Sequence, residues 1–239
     1  METRVDEIAE RIYRLSTFLP LGPKGFTFNQ FLVDAEQPLL FHCGQRALFP
    51  AVSAAIARVM DVKRLRWIAF SHVESDECGS LNEFLEVAPQ ATATHGAIGC
   101  AIWLNDQAPR PPRALANDEV LDLGGRRVRR LDTPHVPHCW DAGLMFEETT
   151  GTLFTSDLFT HVGDPRPLTE GDILEPAVAA ENQFGFTAVT PATGPTIRRL
   201  AALAPRTLAV MHGSSFSGDG GALLGRLAGF YDERLRTSP

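Results

Sequence analysis

Short apolar runs separated by turn residues recur along the whole chain. Phe31-Leu32-Val33 and Leu39-Leu40-Phe41 flank Asp34-Ala35-Glu36-Gln37-Pro38, and that pattern predicts a hairpin. Leu144-Met145-Phe146 and Thr152-Leu153-Phe154-Thr155 flank Glu147 to Gly151 in the same way. Trp67-Ile68-Ala69-Phe70 and Leu208-Ala209-Val210-Met211 read as buried strands, and Val128 to Leu131 as another. Helical spacing takes over between them. Pro50 to Met60 places Val52, Ile56 and Val59 on one face, with Pro50 in the first turn. Gly79 to Val87, Thr196 to Leu203 and Leu223 to Leu235 predict three more helices. Val5 to Leu15 fits a helix by spacing, yet Ile12-Tyr13-Arg14-Leu15 could open a strand. His161 to about Ala180 contains three prolines and reads as an irregular insertion over one face. Strands alternating with helices, and frequent hairpins, predict a mixed α/β domain whose helices cover its sheets.

The chain has 239 residues, enough to bury a sizeable core. No linker, repeat or low-complexity tract divides it, so residues 1–239 are expected to form a single domain. No apolar run approaches the ~18 residues of a membrane-spanning helix. The mixed charges of Met1 to Glu7 do not match an export signal, so a cytoplasmic location is expected. The net charge of −7, with only 22 Lys and Arg, argues against nucleic acid or an anionic membrane as partner. Cys43, Cys78, Cys100 and Cys139 form no CxxC pair and are expected as reduced thiols. Cys78 and Cys139 lie beside the residues singled out next.

The informative feature is where the metal-competent side chains fall. His72, Glu74 and Asp76 follow the run ending at Phe70, and Asp157 follows Leu153-Phe154-Thr155. His212 follows Leu208 to Met211, and His135 and His138 follow Val128 to Leu131. Sites in sheet proteins gather where strand-end loops converge on one edge. Four strands ending this way suggest one site built from four loops. An extended Ser71-His72-Val73-Glu74-Ser75-Asp76-Glu77 would alternate His72, Glu74 and Asp76 onto one side. The competing explanation is a solvated acidic helix start, where Asp76 and Glu77 complement the helix dipole.

His72-Val73-Glu74-Ser75-Asp76, a His near 138, Asp157 and His212 together resemble the metallo-β-lactamase fold superfamily. Glu74 stands where its zinc hydrolases carry a second His. That resembles the diiron branch, the flavodiiron proteins and the stand-alone oxygen-binding diiron proteins. The resemblance implies a four-layer αββα sandwich with a dinuclear site at one edge. It implies that His72, Glu74 and the downstream His hold one metal, that Asp76 and His212 hold the other, and that Asp157 bridges them. His138 is preferred to His135 because it precedes the short turn Asp141-Ala142-Gly143, which leaves His135 a lining or supporting role. The family pattern ends in His where this chain has Glu77. Glu77 is therefore expected either as a further carboxylate ligand with Asp76, Asp157 and His212, or turned away to leave an open position.

A set of imidazoles and carboxylates without thiolate suits iron, with zinc or manganese as alternatives. The expected activity is binding or reduction of dioxygen or nitric oxide. The alternatives are a dinuclear hydrolase of esters, thioesters or phosphodiesters, and an interaction module without catalysis. The last motif lies close to Pro239, so no flavodoxin-like domain and no FMN are expected in this chain. Electrons would then come from a separate donor, and a homodimer is implied by resemblance alone. His42 and His95 are read as structural. His161, Trp140, Phe159, Phe184 and Phe186 are read as core or pocket lining.

Overall fold

Within each apolar run, successive side chains point to opposite faces of a strand, so alternate residues belong to different cores. In the computed structural model, which describes residues 2–237, this alternation separates three hydrophobic clusters. Leu40 and Ile68 face one cluster, while their neighbours Leu39, Phe41, Trp67 and Ala69 face another. Leu144, Leu153 and Leu208 likewise face away from Met145, Phe154 and Ala209. Met1 and Pro239, on which the expectations about the two chain ends rest, lie outside the described residues.

Strands β1 (Thr3–Ala9), β2 (Ile12–Leu19), β3 (Phe26–Val33), β4 (Leu39–Phe41), β5 (Trp67–Ala69), β6 (Thr92–Gly96) and β7 (Arg113–Leu115) lie side by side in that order. The second sheet runs β12 (Leu168–Thr169), β14 (Ser215–Ser217), β13 (Thr207–Val210), β11 (Thr152–Ser156), β10 (Gly143–Glu147), β9 (Arg127–Asp132), β8 (Val120–Asp122). Helices α1 (Phe49–Ala57), α2 (Ser75–Cys78), α3 (Leu81–Val87), α4 (Ala97–Gly99) and α5 (Asn105–Gln107) accompany the first sheet, with a π-helical turn at Cys100–Leu104. Helices α6 (Leu174–Phe184), α7 (Thr193–Ala201) and α8 (Gly220–Thr237) accompany the second.

Val52 and Ile56 of α1 and Leu81, Phe84 and Leu85 of α3 pack on the outer face of the first sheet. Ile197 and Leu200 of α7 and Leu223, Leu224 and Leu227 of α8 cover the second sheet. Between the sheets, Phe154 sits with its ring 5.7 Å from Phe31 and 5.1 Å from Phe41. The result is the expected four-layer αββα sandwich. Each large aliphatic side chain buried in it contributes about 1.5–3 kcal/mol.

One open reading is settled and one expectation changes. Val5 to Leu15 is not helical: it forms β1 and β2, paired Val5 to Leu15 and turning at Arg11 (φ 56°). Ile8 and Ile12 serve the core between the sheets and Leu15 the outer one, which imitates helical spacing. The irregular stretch after His161 ends early, because α6 begins at Leu174 and buries Leu174, Ala177 and Ala180. His95, read as structural, lies buried in β6. β4, β5 and β6 run parallel, as do β11 and β13. Parallel strands deliver their carboxyl ends to the same edge, and the loops carrying the candidate ligands emerge there.

Candidate metal centre

His72 leaves the end of β5 and is buried. Glu74 stays extended (φ −141°, ψ 155°), and Asp76 reaches in from the first turn of α2. His138 comes from the β9–β10 loop, Asp157 directly follows β11, and His212 follows β13. These side chains meet around Asp157. Its Oδ2 lies 3.4 Å from His72 Nε2 and 3.6 Å from His138 Nε2. Its Oδ1 lies 3.3 Å from His212 Nε2. Glu74 approaches His138 Nε2 at 3.1 Å and His72 Nε2 at 3.8 Å. Asp76 approaches His212 Nε2 at 3.4 Å. One half-site therefore gathers His72, Glu74, His138 and Asp157, and the other gathers Asp76, His212 and Asp157.

The rings are aimed by what lies behind them. His212 Nδ1 donates to the Thr27 carbonyl at 2.9 Å, so Nε2 faces the site. His72 Nδ1 lies 2.9 Å from Ser71 Oγ. That hydroxyl donates to Glu77, whose two oxygens are 2.7 and 2.8 Å away. Ser156 Oγ donates to Glu77 Oε1 at 2.9 Å, and the His72 amide donates to Oε2 at 3.1 Å. His42 Nε2 completes this layer, 3.1 Å from Ser71 Oγ.

The donor set fits a metal. His72 Nε2, His138 Nε2 and Asp157 Oδ2 are buried without an aligned hydrogen bond among the described residues, although the two nitrogens lie 3.4 and 3.6 Å from that oxygen. Groups so placed converge on a common point instead of pairing among themselves. The electrostatics agree. Burial alone would lower the His72 and His212 imidazoles, but the surrounding carboxylates lift each to about 10. The His138 and His72 imidazoles hold Glu74 at about 2. Burial opposes ionisation of Asp157, yet His212, His72 and His138 hold its carboxyl well below the ordinary range. Burial pushes Glu77 up to about 7. Protons held on imidazoles among carboxylates are what a cation displaces on binding.

A cavity of about 290 Å³ opens over the centre, lined by Phe26, Glu74, His138, Asp157, Thr160, Phe184, Phe186 and His212. Asp76 and His212 also face an apolar cleft of about 520 Å³ that includes Leu21, Phe26, Phe28 and Phe184. Some expected residues lie elsewhere. His135 is exposed, its backbone left-handed (φ 64°), so it does not line the centre. Trp140 is 56% exposed and borders a separate small cavity with Ile98 and Arg130. Phe159 is core. His161 lies beneath the centre: Nδ1 donates to the Phe159 carbonyl at 2.8 Å, and Nε2 accepts from the Ser214 amide at 2.8 Å. Glu77 is not beside Asp76 and His212, but in the buried layer below His72. The thiol of Cys139 lies within 4.8 Å of donor atoms of His72, Glu74 and His138, and burial pushes it up to about 11. Sequence reading missed Thr27, Ser71, Ser156 and Thr160. Of these, Ser71 and Ser156 carried a signal, each directly preceding a candidate ligand.

The architecture recurs in known structures. The rubredoxin oxygen:oxidoreductase of Desulfovibrio gigas superimposes with a TM-score of 0.82 at 19% identity, covering 99% of this chain and 62% of that one. A metal-soaked flavodiiron core from Synechocystis sp. gives a TM-score of 0.82 at 19% identity, over 99% of this chain and 62% of that one. At this identity the likeness establishes the fold. By sequence, a Nostoc sp. protein named diflavin flavoprotein A 1 is 26% identical over 224 residues, which are 89% of this chain and 38% of the relative. The rubredoxin-oxygen oxidoreductase of Megalodesulfovibrio gigas is 22% identical over 206 residues, 83% of this chain and 51% of that protein. The chain thus spans between about a third and a half of these two relatives. Residues 26–177 match the sequence profile of the family described as ODP family beta lactamase. That match takes in more than half of the chain, and the chain belongs to the ODP family of beta lactamases.

Proposed function

We propose that this chain, as a single domain over residues 1–239, is a diiron centre that binds or reduces dioxygen or nitric oxide. The observation that carries the reading is the division of Asp157: one oxygen faces His72 and His138, the other faces His212. A carboxylate so divided suits two cations side by side. Two nitrogens and two carboxylates in the first half-site suit iron better than a thiolate- or imidazole-dominated set would. The names of the relatives, a rubredoxin-oxygen oxidoreductase and a diflavin flavoprotein, support oxygen chemistry over hydrolysis and a separate rubredoxin or flavin donor. Among the described residues no helix is long and apolar enough to cross a membrane. The reading includes a cytoplasmic location and a homodimer, checked by fractionation and sedimentation.

In this reading His72, Glu74, His138 and Asp157 hold one iron, and Asp76, His212 and Asp157 hold the other. Iron held by these residues would supply redox chemistry towards a diatomic oxidant. The chain supplies the rest. The Thr27 carbonyl and the Ser71–Glu77 layer keep the Nε2 lone pairs of His212 and His72 directed inward. Phe26, Phe184 and Phe186 give the cavity apolar walls that admit a small uncharged ligand more readily than a polar ester. Thr160 borders the same cavity, and its Oγ1 is buried without a hydrogen-bond partner among the described residues.

The test is metal analysis of protein expressed with iron and zinc both supplied, followed by anaerobic reduction and exposure to oxygen. About two irons per chain and oxygen uptake are expected. Two zincs, no oxygen reaction and turnover of a generic ester would overturn the reading.

A further inference from the structure

We infer that the two half-sites bind metal unequally, because Glu77 supports His72 and does not serve as a ligand of the second ion. The inference rests on the dinuclear reading above and deepens it. Asp76 and Glu77 are neighbours in the first turn of α2, and only Asp76 faces His212. The Glu77 side chain is 1% exposed and lines neither the cavity over the centre nor the apolar cleft. Both of its oxygens are already engaged. Oε1 accepts from Ser71 and Ser156 at 2.7 and 2.9 Å, and Oε2 accepts from Ser71 and the His72 amide at 2.8 and 3.1 Å. Its Oε1 is also 3.4 Å from His42 Nε2 and 3.5 Å from His72 Nδ1.

His72, Glu77 and Asp157 come within 4.8 Å of one another, as three metal ligands would. The Glu77 oxygen, however, approaches the Nδ1 side of His72, whereas Asp157 approaches Nε2. An ion shared by all three would have to draw Glu77 away from two hydroxyls and an amide in a buried layer, which is costly. The carboxylate therefore acts on the first half-site through His72. The second half-site is left with three protein donors, Asp76, His212 and the Oδ1 of Asp157, and with a position open towards the cleft that Asp76 and His212 line. A carboxylate behind a ligating imidazole is worth about 10–100-fold in metal affinity. The first half-site has that support and four direct donors; the second has one direct donor fewer.

The experiment is anaerobic titration of chelator-stripped protein with Co²⁺ alone, read by visible absorption and by competition with a chromophoric chelator. The wild type should bind one equivalent tightly and a second about 10-fold or more weakly. Asp76→Ala should abolish the weak step and spare the tight one. Glu77→Gln should weaken the tight step. Two steps of equal affinity, or a Glu77→Gln variant that loses only the weak step, would overturn the inference and leave the dinuclear reading standing. No binding by the wild type would overturn both. The wild-type and Asp76→Ala titrations decide the matter even where Glu77→Gln fails to fold, and circular dichroism of each stripped protein checks folding.

Discussion

Gly213→Ala should damage both the fold and the centre, because the residue after His212 has no room for a side chain. Its φ is +110°, and an added Cβ would lie 2.3 Å from His161 Cε1 and Nε2. A non-glycine residue held at such a φ costs about 1–3 kcal/mol. Moving the His161 ring breaks its bonds to the Phe159 carbonyl and the Ser214 amide, both 2.8 Å long and buried. A buried group left unpaired costs about 1–3 kcal/mol more. The Gly213 carbonyl also accepts from Arg14 Nη2 at 2.9 Å and Asn29 Nδ2 at 3.1 Å, which limits how far the loop can retreat. The total is about 2–6 kcal/mol, and at about 2–4 °C per kcal/mol for a domain of this size the melting temperature should fall by roughly 5–20 °C. Calorimetry measures that fall, and Co²⁺ titration should show the step that uses His212 weakened. The control is Gly229→Ala, in exposed helix with nothing within 4 Å of the added carbon, which should stabilise by about 0.5–1 kcal/mol. A Gly213→Ala protein melting within about 2 °C of wild type, with unchanged metal uptake, would refute the reasoning, since the steric and hydrogen-bond costs predict more.

Three smaller predictions follow from single side chains. Thr160→Val keeps the shape of the cavity wall and removes a buried hydroxyl that has no partner among the described residues; metal content should stay unchanged and urea unfolding should show a gain of about 1 kcal/mol, whereas a loss would contradict the assignment. Tyr231→Phe removes a buried hydroxyl that meets Thr187 at 2.8 Å and Glu181 at 3.3 Å, and urea unfolding should show a loss of about 1 kcal/mol. Burial would raise Glu147, but bonds from Thr149 and Thr150 hold its carboxyl below the ordinary value of 4.5. A lowered folded value means that Glu147 stabilises fully above that pH and that the contribution is lost as pH falls through the folded value. The stability gap between wild type and Glu147→Gln should therefore narrow below about pH 4.5, and a gap that stays constant into strong acid would contradict the assignment.

A mixed α/β domain with covered sheets was legible because its strands carry apolar side chains on both faces, while the four-layer arrangement came from the family resemblance. Trp67-Ile68-Ala69 and Leu208-Ala209-Val210 each send alternate residues to two cores. The segment around Val5 was ambiguous because Ile8, Ile12 and Leu15 belong to two cores at intervals that a helix would also use. Helix α6 was hidden by proline. Pro176 sits in its first turn, where backbone N–H groups have no helical acceptor, so the residue that reads as a breaker is tolerated. The strand-end histidines and acids stood out because four separate strands each end in one, on an edge where loops converge. Glu77 could not be placed by spacing. Successive residues in a helical turn point about 100° apart, so Asp76 and Glu77 diverge, one to the centre and one to the layer beneath it. His135 and His138 differ in the same way, through the left-handed backbone at His135 and Cys139 that turns the loop between them.

The support layer ties the centre to the fold. Thr27 belongs to the first sheet and directs His212, which follows a strand of the second. Ser156 ends a strand of the second sheet and holds Glu77, which follows a strand of the first. Asp157 then meets imidazoles carried by both sheets. Separating the sheets would take His72, Glu74 and Asp76 away from His138, Asp157 and His212, so a cation held by both sets binds the folded chain alone. Binding to the folded state alone adds about 2.7 kcal/mol of stability when free metal stands at 100 times its dissociation constant. For a domain of this size that is a rise of roughly 5–10 °C in melting temperature. Stripping the protein with a chelator should lower its melting temperature by that amount, and restoring the metal should recover it. A melting temperature indifferent to metal would mean that the side chains around Asp157 are held by the fold for a purpose other than gripping a cation.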